Sequence, residues 1–320
     1  MIWSIRVAQM LARAMCCTVL RQISYLTPSL AKKTNESSSG DAQHSVNETD
    51  TMWPIAGRKM KGSNHTKAAC HSSTLRVATY NVHRCVGIDG CRSEARIARV
   101  IASMSADIVG LQELSLRRAR FGGSDQAAII AQQLGWNVLF QPASRNMREH
   151  FGNAIISRYP LRLVRVAELP GKSPWYCREP RIALWAEAET NLGAVQVINT
   201  HLGLGRSERL LQAELLSSAE WLGRPPGSSP LVFLGDLNSV PGSQPYNCLL
   251  KVLHDVRKSV TANKSATFPT YFPGWAMDHI LVNDALRPVS VRVHRTARSW
   301  VASDHFPLVA DVIKDIRANR

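Results

Sequence analysis

The sequence lacks any unbroken apolar stretch long enough to cross a bilayer, a crossing that takes about 20 apolar residues as a helix. It also lacks a Cys-x-x-Cys pair. Its seven cysteines, at 16, 17, 70, 85, 91, 177 and 248, are odd in number and have no histidine at zinc-site spacing. That excludes a disulfide framework and a zinc module. Cys85 and Cys91, which flank the loop "CVGIDGC", read as reduced thiols. No Gly-rich phosphate loop is present, and no Ser or Cys stands in a nucleophile setting, so nucleotide-binding kinases and covalent hydrolases drop out. Residues 75–320 contain no internal repeat. The first 33 residues contain no acid at all, against Arg6, Arg13, Arg21, Lys32 and Lys33.

What is present is a basic chain of 320 residues with formal net charge +15, 45% apolar and 20% charged residues. The apolar share is enough to fill a sizeable core. The first 74 residues hold 9 of the 39 Lys+Arg and 4 of the 24 Asp+Glu, so +5 of the charge lies there and +10 in the remainder. A basic domain favours anionic partners, without choosing among nucleic acid, a phospholipid headgroup and a sugar phosphate. Residues 1–33 read as a basic leader, either a transit-like targeting segment or a disordered one. Residues 34–74, rich in Ser, Asn and Gly, read as a flexible linker. The remainder, 75–320, reads as one domain. The expected product is a monomer in the cytoplasm, or in the mitochondrion or another organelle if the leader is a transit peptide.

From Leu75 onward short apolar runs alternate with helical periodicity. "LRVATYNV" is strand-like; Ser93 caps a helix with Ile97, Val100, Ile101 and Met104 on one face; "DIVGLQE" is the next strand. A helix from Asp125 to Leu134 stops at Gly135. Strands are expected at 136–141, 153–157, 162–168, 183–189 and 194–202, a helix over 207–222 stopped by Gly223 and Pro225, then strands at 231–235, 277–282, 289–295 and 308–312. So many strands with so few helices predict an α/β (α+β) fold of two mixed sheets packed face to face, with helices on the outer faces.

Polar residues cluster where these strands end. Asn81 follows "RVATY" and Glu113 follows "DIVGLQ"; Asn199 and His201 lie in "VQVINTHLG", Asp236 and Asn238 in "LVFLGDLN", Asp278 and His279 in "MDHILV", and Asp304 and His305 in "SDHFPLVAD". Singly, each is an ordinary strand-end or turn residue. Jointly they share one chemical purpose. The hard oxygens of Glu113 and Asn81, with Asp304, suit Mg²⁺ or Mn²⁺ and a substrate phosphate. Asp236 can orient or deprotonate a water, Asn238 can hold that water or a phosphate oxygen, and His201 offers a donor to phosphoryl oxygens. An Asp278 carboxylate would keep His305 in one tautomer or as imidazolium.

With these residues assembled, the chain resembles the endonuclease/exonuclease/phosphatase superfamily, the DNase I-like fold, over essentially all of 75–312. The blocks "TYNVH", "QE", "FGNAIISRYP", "NTHLG", "GDLNSVPGS", "MDHILV" and "SDHFPLVAD" occur in that family's order. The resemblance implies a four-layer sandwich and a metal-dependent phosphoesterase. It implies that Asn81 and Glu113 bind the metal with Asp304 at its edge, that Asp236 and Asn238 handle water and phosphate, that His201 contacts phosphate, and that Asp278 and His305 pair. Asn153 in "GNAIIS" and Arg181 in "EPRIALW" match positions near the phosphate in relatives. His279 replaces a common Tyr and reads as tolerated variation; Ala276 stands where relatives often carry Arg. The expected activity is that of a nuclease. A phospholipid-headgroup phosphodiesterase, with the "SPWYC" loop facing a membrane, and a non-catalytic binding module of the same fold are the alternatives.

Overall fold

The computed structural model describes residues 74–117, 124–145, 149–171, 179–222, 229–259 and 266–315; the leader, nearly all of the linker and the "SPWYC" loop lie outside them. One sheet contains β1 (Thr74–Asn81), β2 (Ile108–Arg117), the two-residue β3 (Ser124–Asp125), β4 (Asn137–Arg145), β5 (Glu149–Ser157), β12 (Leu286–Val293) and β13 (Leu308–Lys314), in the order β12-β13-β1-β2-β5-β4 with β3 on β2. The other has the order β10-β11-β9-β8-β7-β6, from β6 (Leu161–Leu169), β7 (Arg181–Thr190), β8 (Gly193–His201), β9 (Leu231–Asp236), β10 (His254–Asp255) and β11 (Asp278–Val282). Both are mixed: β1 and β2 run parallel, as do β8 and β9, and their other pairings are antiparallel.

Three cores separate four layers. The first lies between one sheet and two helices, α1 (Glu94–Met104) and α2 (Gln126–Leu134). The second fills the space between the sheets. The third lies under α3 (Arg206–Leu216) and α4 (Gln244–Leu249) on the far face of the other sheet. Strand periodicity explains the division, because successive side chains point to opposite faces. In β9, Val232 and Leu234 enter the middle core while Leu231 and Phe233 face the helices. Each fully buried Val, Leu or Ile contributes about 1.5–3 kcal/mol. The helix starts follow from local capping: Ser93 Oγ accepts from Arg96 N–H, Asp125 accepts from Ala128 N–H, and Gly135 closes α2 with φ +69°.

The expected two-sheet sandwich is the fold observed, with several local differences. Thr74, assigned to the linker, already pairs with Ile313 in β1. The helix expected over 207–222 is shorter, because α3 stops at Ser217, whose hydroxyl turns back to Ala213 O at 2.8 Å. Strand β12 starts three residues before the expected 289 and includes Pro288, which is tolerated because β12 is an edge strand. The short helices α4, α5 (Val256–Ser259) and α6 (Ala297–Ala302) have too few turns to show a periodic signal. Cys85 is buried and Cys91 exposed, and both are free. No helix among the described residues is long and apolar enough to cross a membrane.

One irregularity shapes the molecule. Pairing of β2 with β5 shifts between Leu111 and Leu114, so Gln112 and Glu113 together face the single residue Asn153, a β-bulge. Asn199 reaches across from β8 to this point. Its Nδ2 donates to Leu111 O at 2.9 Å and Ala154 O at 2.8 Å, and its Oδ1 accepts from Gln112 Nε2 at 2.6 Å. Gly110 lets it approach, since a Cβ there would lie 2.8 Å from Asn199 Oδ1. Asn199 is therefore an inter-sheet brace. Replacing it by Leu strands these buried acceptors, and we expect Asn199→Leu to cost about 2–4 kcal/mol in urea unfolding; a loss below about 0.5 kcal/mol would remove the brace from the account.

Candidate active site at the shared strand rim

The alternation that builds the middle core also builds the site. Leu75 and Val77 of β1 enter that core, so Asn81 projects to the same side at the strand's end; Val195 and Val197 do the same for His201, Val232 and Leu234 for Asp236, and Ile280 and Val282 for Asp278. Strands β1, β8 and β9 deliver their C-terminal ends to this rim, and β2 delivers its midstrand bulge. Strands β7 and β11 and the approach to β13 deliver N-terminal ends to it, bringing Arg181, Asp278, Asp304 and His305. Glu113 would fall on the outer face by simple alternation with Val109 and Leu111. The bulge, with Glu113 at φ +58°, turns it inward instead.

Asn81 Nδ2 donates to Glu113 Oε1 and Asp236 Oδ2, both at 3.0 Å. Asp236 Oδ1 accepts from Asn238 N–H at 2.8 Å, in a turn that puts Asn238 at φ +47°. His305 Nδ1 lies 2.9 Å from Asp278 Oδ2, and its Nε2 lies 3.7 Å from Asp236 Oδ2. Burial alone would lower the His305 pKa, yet Asp278 and Asp236 outweigh it and raise the pKa to about 10. His305 is therefore an imidazolium whose Nδ1–H donates to Asp278. Burial, reinforced by Asp278, raises the Asp236 carboxyl to about 6 against the pull of His305 and its hydrogen bonds.

His201 behaves differently. Arg181 Nη1 sits 2.9 Å from its Nδ1 and the Asn238 amide nitrogen Nδ2 sits 2.9 Å from its Nε2; both are donors, and a neutral imidazole accepts at only one ring nitrogen. His201 Nε2 also lies 3.6 Å from Asp236 Oδ2. Burial, then Arg181 and His305, push the His201 pKa well down, and the ring is neutral. Arg181 also pairs with Glu179 at 2.9 Å, and its Nε has no partner among the described residues. Asn153 donates to Ile182 O at 3.3 Å. Glu113, Asn153, Arg181, His201 and Phe151 line a narrow cleft of about 20 Å³. Asp304 is half-buried, with its Oδ1 3.3 Å from Ser303 Oγ and 3.9 Å from His83 Nδ1.

All ten residues expected from the sequence therefore lie along one rim or its adjoining cleft. Three others escaped that reading. Ser303 Oγ donates to Asn81 O at 2.8 Å and accepts from His305 N–H; Thr267 Oγ1 accepts from Asp278 N–H; Phe268 lies against the His305 ring, centroids 4.6 Å apart. Their only sequence signal was small hydroxyls and an aromatic beside the "MDH" and "SDH" blocks. Asp236, Asp278 and His305 bring three ligating atoms within 4.8 Å of one another. An imidazolium offers no lone pair, however, so this trio is suited to proton handling. The hard oxygens of the 29% exposed Glu113 carboxylate and of Asp304 suit a divalent cation; the Asn81 amide faces Glu113 with its Nδ2, and its Oδ1, the atom that would ligate, accepts from His83 N–H at 3.0 Å.

Residues 78–305 match the model of the Endonuclease/Exonuclease/phosphatase family. The chain is similar to the uncharacterized protein YbhP of Escherichia coli strain K12, 29% identical over 258 residues, covering 75% of this chain and 96% of that one. It is similar to a solved endonuclease/exonuclease/phosphatase from Beutenbergia cavernae, with TM-score 0.61 and 25% identity over 75% of this chain and 72% of that one. A mannosyl-6-phosphatase of Bacteroides thetaiotaomicron shares the fold, with TM-score 0.58 and 22% identity over 75% and 99% of the two chains.

The Asp278–His305 pair has a direct check. Asp278→Asn removes the leading charge that holds the proton on His305, so NMR titration of the metal-free protein should find that pKa well below about 10. Because the folded pKa is raised, the pair's stabilisation is complete below pH 6.5 and is lost as pH rises through about 10. This loss should be larger in the wild type than in the variant, where Asp236 and Asp304 alone still raise the His305 pKa. An unchanged His305 titration would show that Asp278 does not set it.

Proposed function

The chain belongs to the endonuclease/exonuclease/phosphatase family, whose members are hydrolases of phosphoesters, and from that premise we propose that it is a Mg²⁺-dependent phosphodiesterase acting on nucleic acid. The carrying observation is the convergence of the Asn81–Asp236–Asn238 corner and the Asp278–His305 pair, bridged by only 3.7 Å between His305 Nε2 and Asp236 Oδ2.

In this reading Asp236, poised near 6, takes a proton from the attacking water. Asn238 and His201 hold the phosphoryl oxygens. His305, kept cationic by Asp278, stabilises charge that develops on the phosphorane-like transition state. Asn153 and Arg181 at the cleft assist in binding the anion. Glu113, Asn81 and Asp304 would hold Mg²⁺, with Mn²⁺ as the substitute; when bound, the ion neutralises phosphate charge. The basic balance, +10 beyond residue 74, favours a polyanion.

A second reading, a phospholipid headgroup as substrate, is favoured by one feature. Tyr271 and Phe272 are 58% and 76% exposed in a loop fastened to the rim, where Thr270 N–H donates to Asp304 O at 2.8 Å. Such aromatics suit either an unstacked base or a lipid surface.

Turnover should be measured on plasmid DNA, single-stranded RNA, sphingomyelin and cardiolipin. We expect cleavage of a nucleic acid, abolished by EDTA and reduced about 10²–10⁴-fold in Asp236→Asn. Cleavage of lipids alone would replace the nuclease reading by the second one. Turnover unaffected by Asp236→Asn would overturn the mechanism, and no turnover on any substrate would favour a binding module. The rate should rise with pH through an apparent pKa near or below about 6, because a bound cation lowers the Asp236 value, and should fall toward about 10 as His305 loses its proton. A flat profile across pH 5–10 would exclude both assignments.

A further inference from the structure

Behind the rim, on the helix-facing side of β9 and β11, four polar side chains are buried in an apolar layer: Tyr246, Asp255, Arg257 and His279. Around them pack Leu249, Leu253 and Leu281. Alternation along β11 puts His279 on the face opposite Asp278, so it cannot reach a substrate in the cleft. The four form one connected network. Tyr246 Oη donates to Asp255 Oδ2 at 2.8 Å, Arg257 N–H donates to Asp255 Oδ1 at 2.8 Å, and Arg257 Nη1 lies 3.9 Å from Asp255 Oδ2. Burial alone would raise the Asp255 carboxyl, but the charge and backbone N–H of Arg257 hold it below the usual carboxylate range. The Tyr246 and His279 rings pack with centroids 5.1 Å apart.

Burying a guanidinium and a carboxylate costs several kcal/mol per ion, and apolar side chains of similar volume would pack such a layer at least as well. What the polar set does that an apolar set cannot is hold backbone carbonyls. His279 Nε2 donates to Ser239 O at 2.8 Å, while its Nδ1 accepts from Arg257 Nη1 at 3.3 Å. These two contacts fix a single tautomer of the ring. Arg257 Nη2 donates to Asp278 O. Ser239 follows Asn238, whose left-handed backbone closes the Asp236 corner, and Asp278 carries the carboxylate that holds His305.

We propose that Arg257 and His279 are positioning residues that set the spacing of the two halves of the active site from behind, His279 through the loop after Asp236 and Arg257 through the start of β11. The proposal rests on the hydrolase reading above for its catalytic consequence, although the grip itself does not. A displacement of about 1 Å in such a constellation costs about 10²-fold in rate. The substitution of a common Tyr by His in the "MDHILV" block then has a role: an imidazole donor aimed at a carbonyl 40 residues away in sequence.

The test compares His279→Phe, which retains a ring against Tyr246 but lacks the donor, with His279→Gln, which restores an amide donor. Arg257→Lys is the companion variant for the second grip. Hydrolysis of bis(p-nitrophenyl) phosphate gives kcat and KM, and hydrogen exchange without substrate reads the amides of residues 238–240. We expect His279→Phe to lower kcat about 10–100-fold with KM within about twofold, to speed exchange at 238–240, and to be largely rescued by Gln. Arg257→Lys should lower kcat with exchange at 238–240 less affected. Unchanged exchange and kcat in His279→Phe would overturn the proposal, as would a loss that Gln does not restore and that follows the melting temperature alone. If the wild type hydrolyses no phosphoester, the hydrolase reading fails, and the exchange comparison still decides whether the grip exists.

Discussion

The β2 bulge is the constraint on which the rest of the structure depends. A regular strand would send Glu113 into the helix-facing core, where an unpaired carboxylate is costly. Two residues opposite Asn153 instead turn Glu113 to the inner rim. The break leaves Leu111 O and Ala154 O facing the other sheet, and Asn199 takes both. The same irregularity thus supplies a carboxylate to the site and a hydrogen-bonded link between the sheets. Gly110 belongs to this device, because any larger residue would displace the amide.

Three buried histidines serve the rim and differ by what faces their rings. His305 has an acid at Nδ1 and keeps its proton. His201 has Arg181 at Nδ1 and the Asn238 amide nitrogen at Nε2, and burial leaves it neutral. His279 has Arg257 at Nδ1 and spends its proton on a backbone carbonyl behind the site. One residue type therefore provides a cation, a neutral ring and a fastener, according to which groups face its two nitrogens. The low effective dielectric of the buried rim makes each neighbour decisive.

Much of this was legible in the sequence. The two-sheet sandwich followed from many short apolar runs and few helices, and Asn81, Glu113, Asp236, Asp278 and His305 announced themselves as polar residues at the ends of those runs. Asn199 was visible too, but its brace between sheets was not, because that depends on a bulge with no local signature. Arg257 and Asp255 gave no sign in "LHDVRKS", since nothing in that segment shows that it folds behind β11. The exposed pair Tyr271 and Phe272 was passed over for "SPWYC", because exposure is not a property of a tripeptide.

By itself the sequence determined the layers, through side-chain alternation along each strand, and determined which chemistry could be assembled, through the residue types at strand ends. Only the tertiary structure decided protonation and aim. A histidine's charge is fixed by whether a carboxylate or a guanidinium from a distant strand lies against it, as Asp278 does 27 residues from His305 and Arg181 does 20 residues from His201. Electrostatic interaction falls with distance and rises with desolvation; both are set by packing across sheets, which no local run of residues encodes.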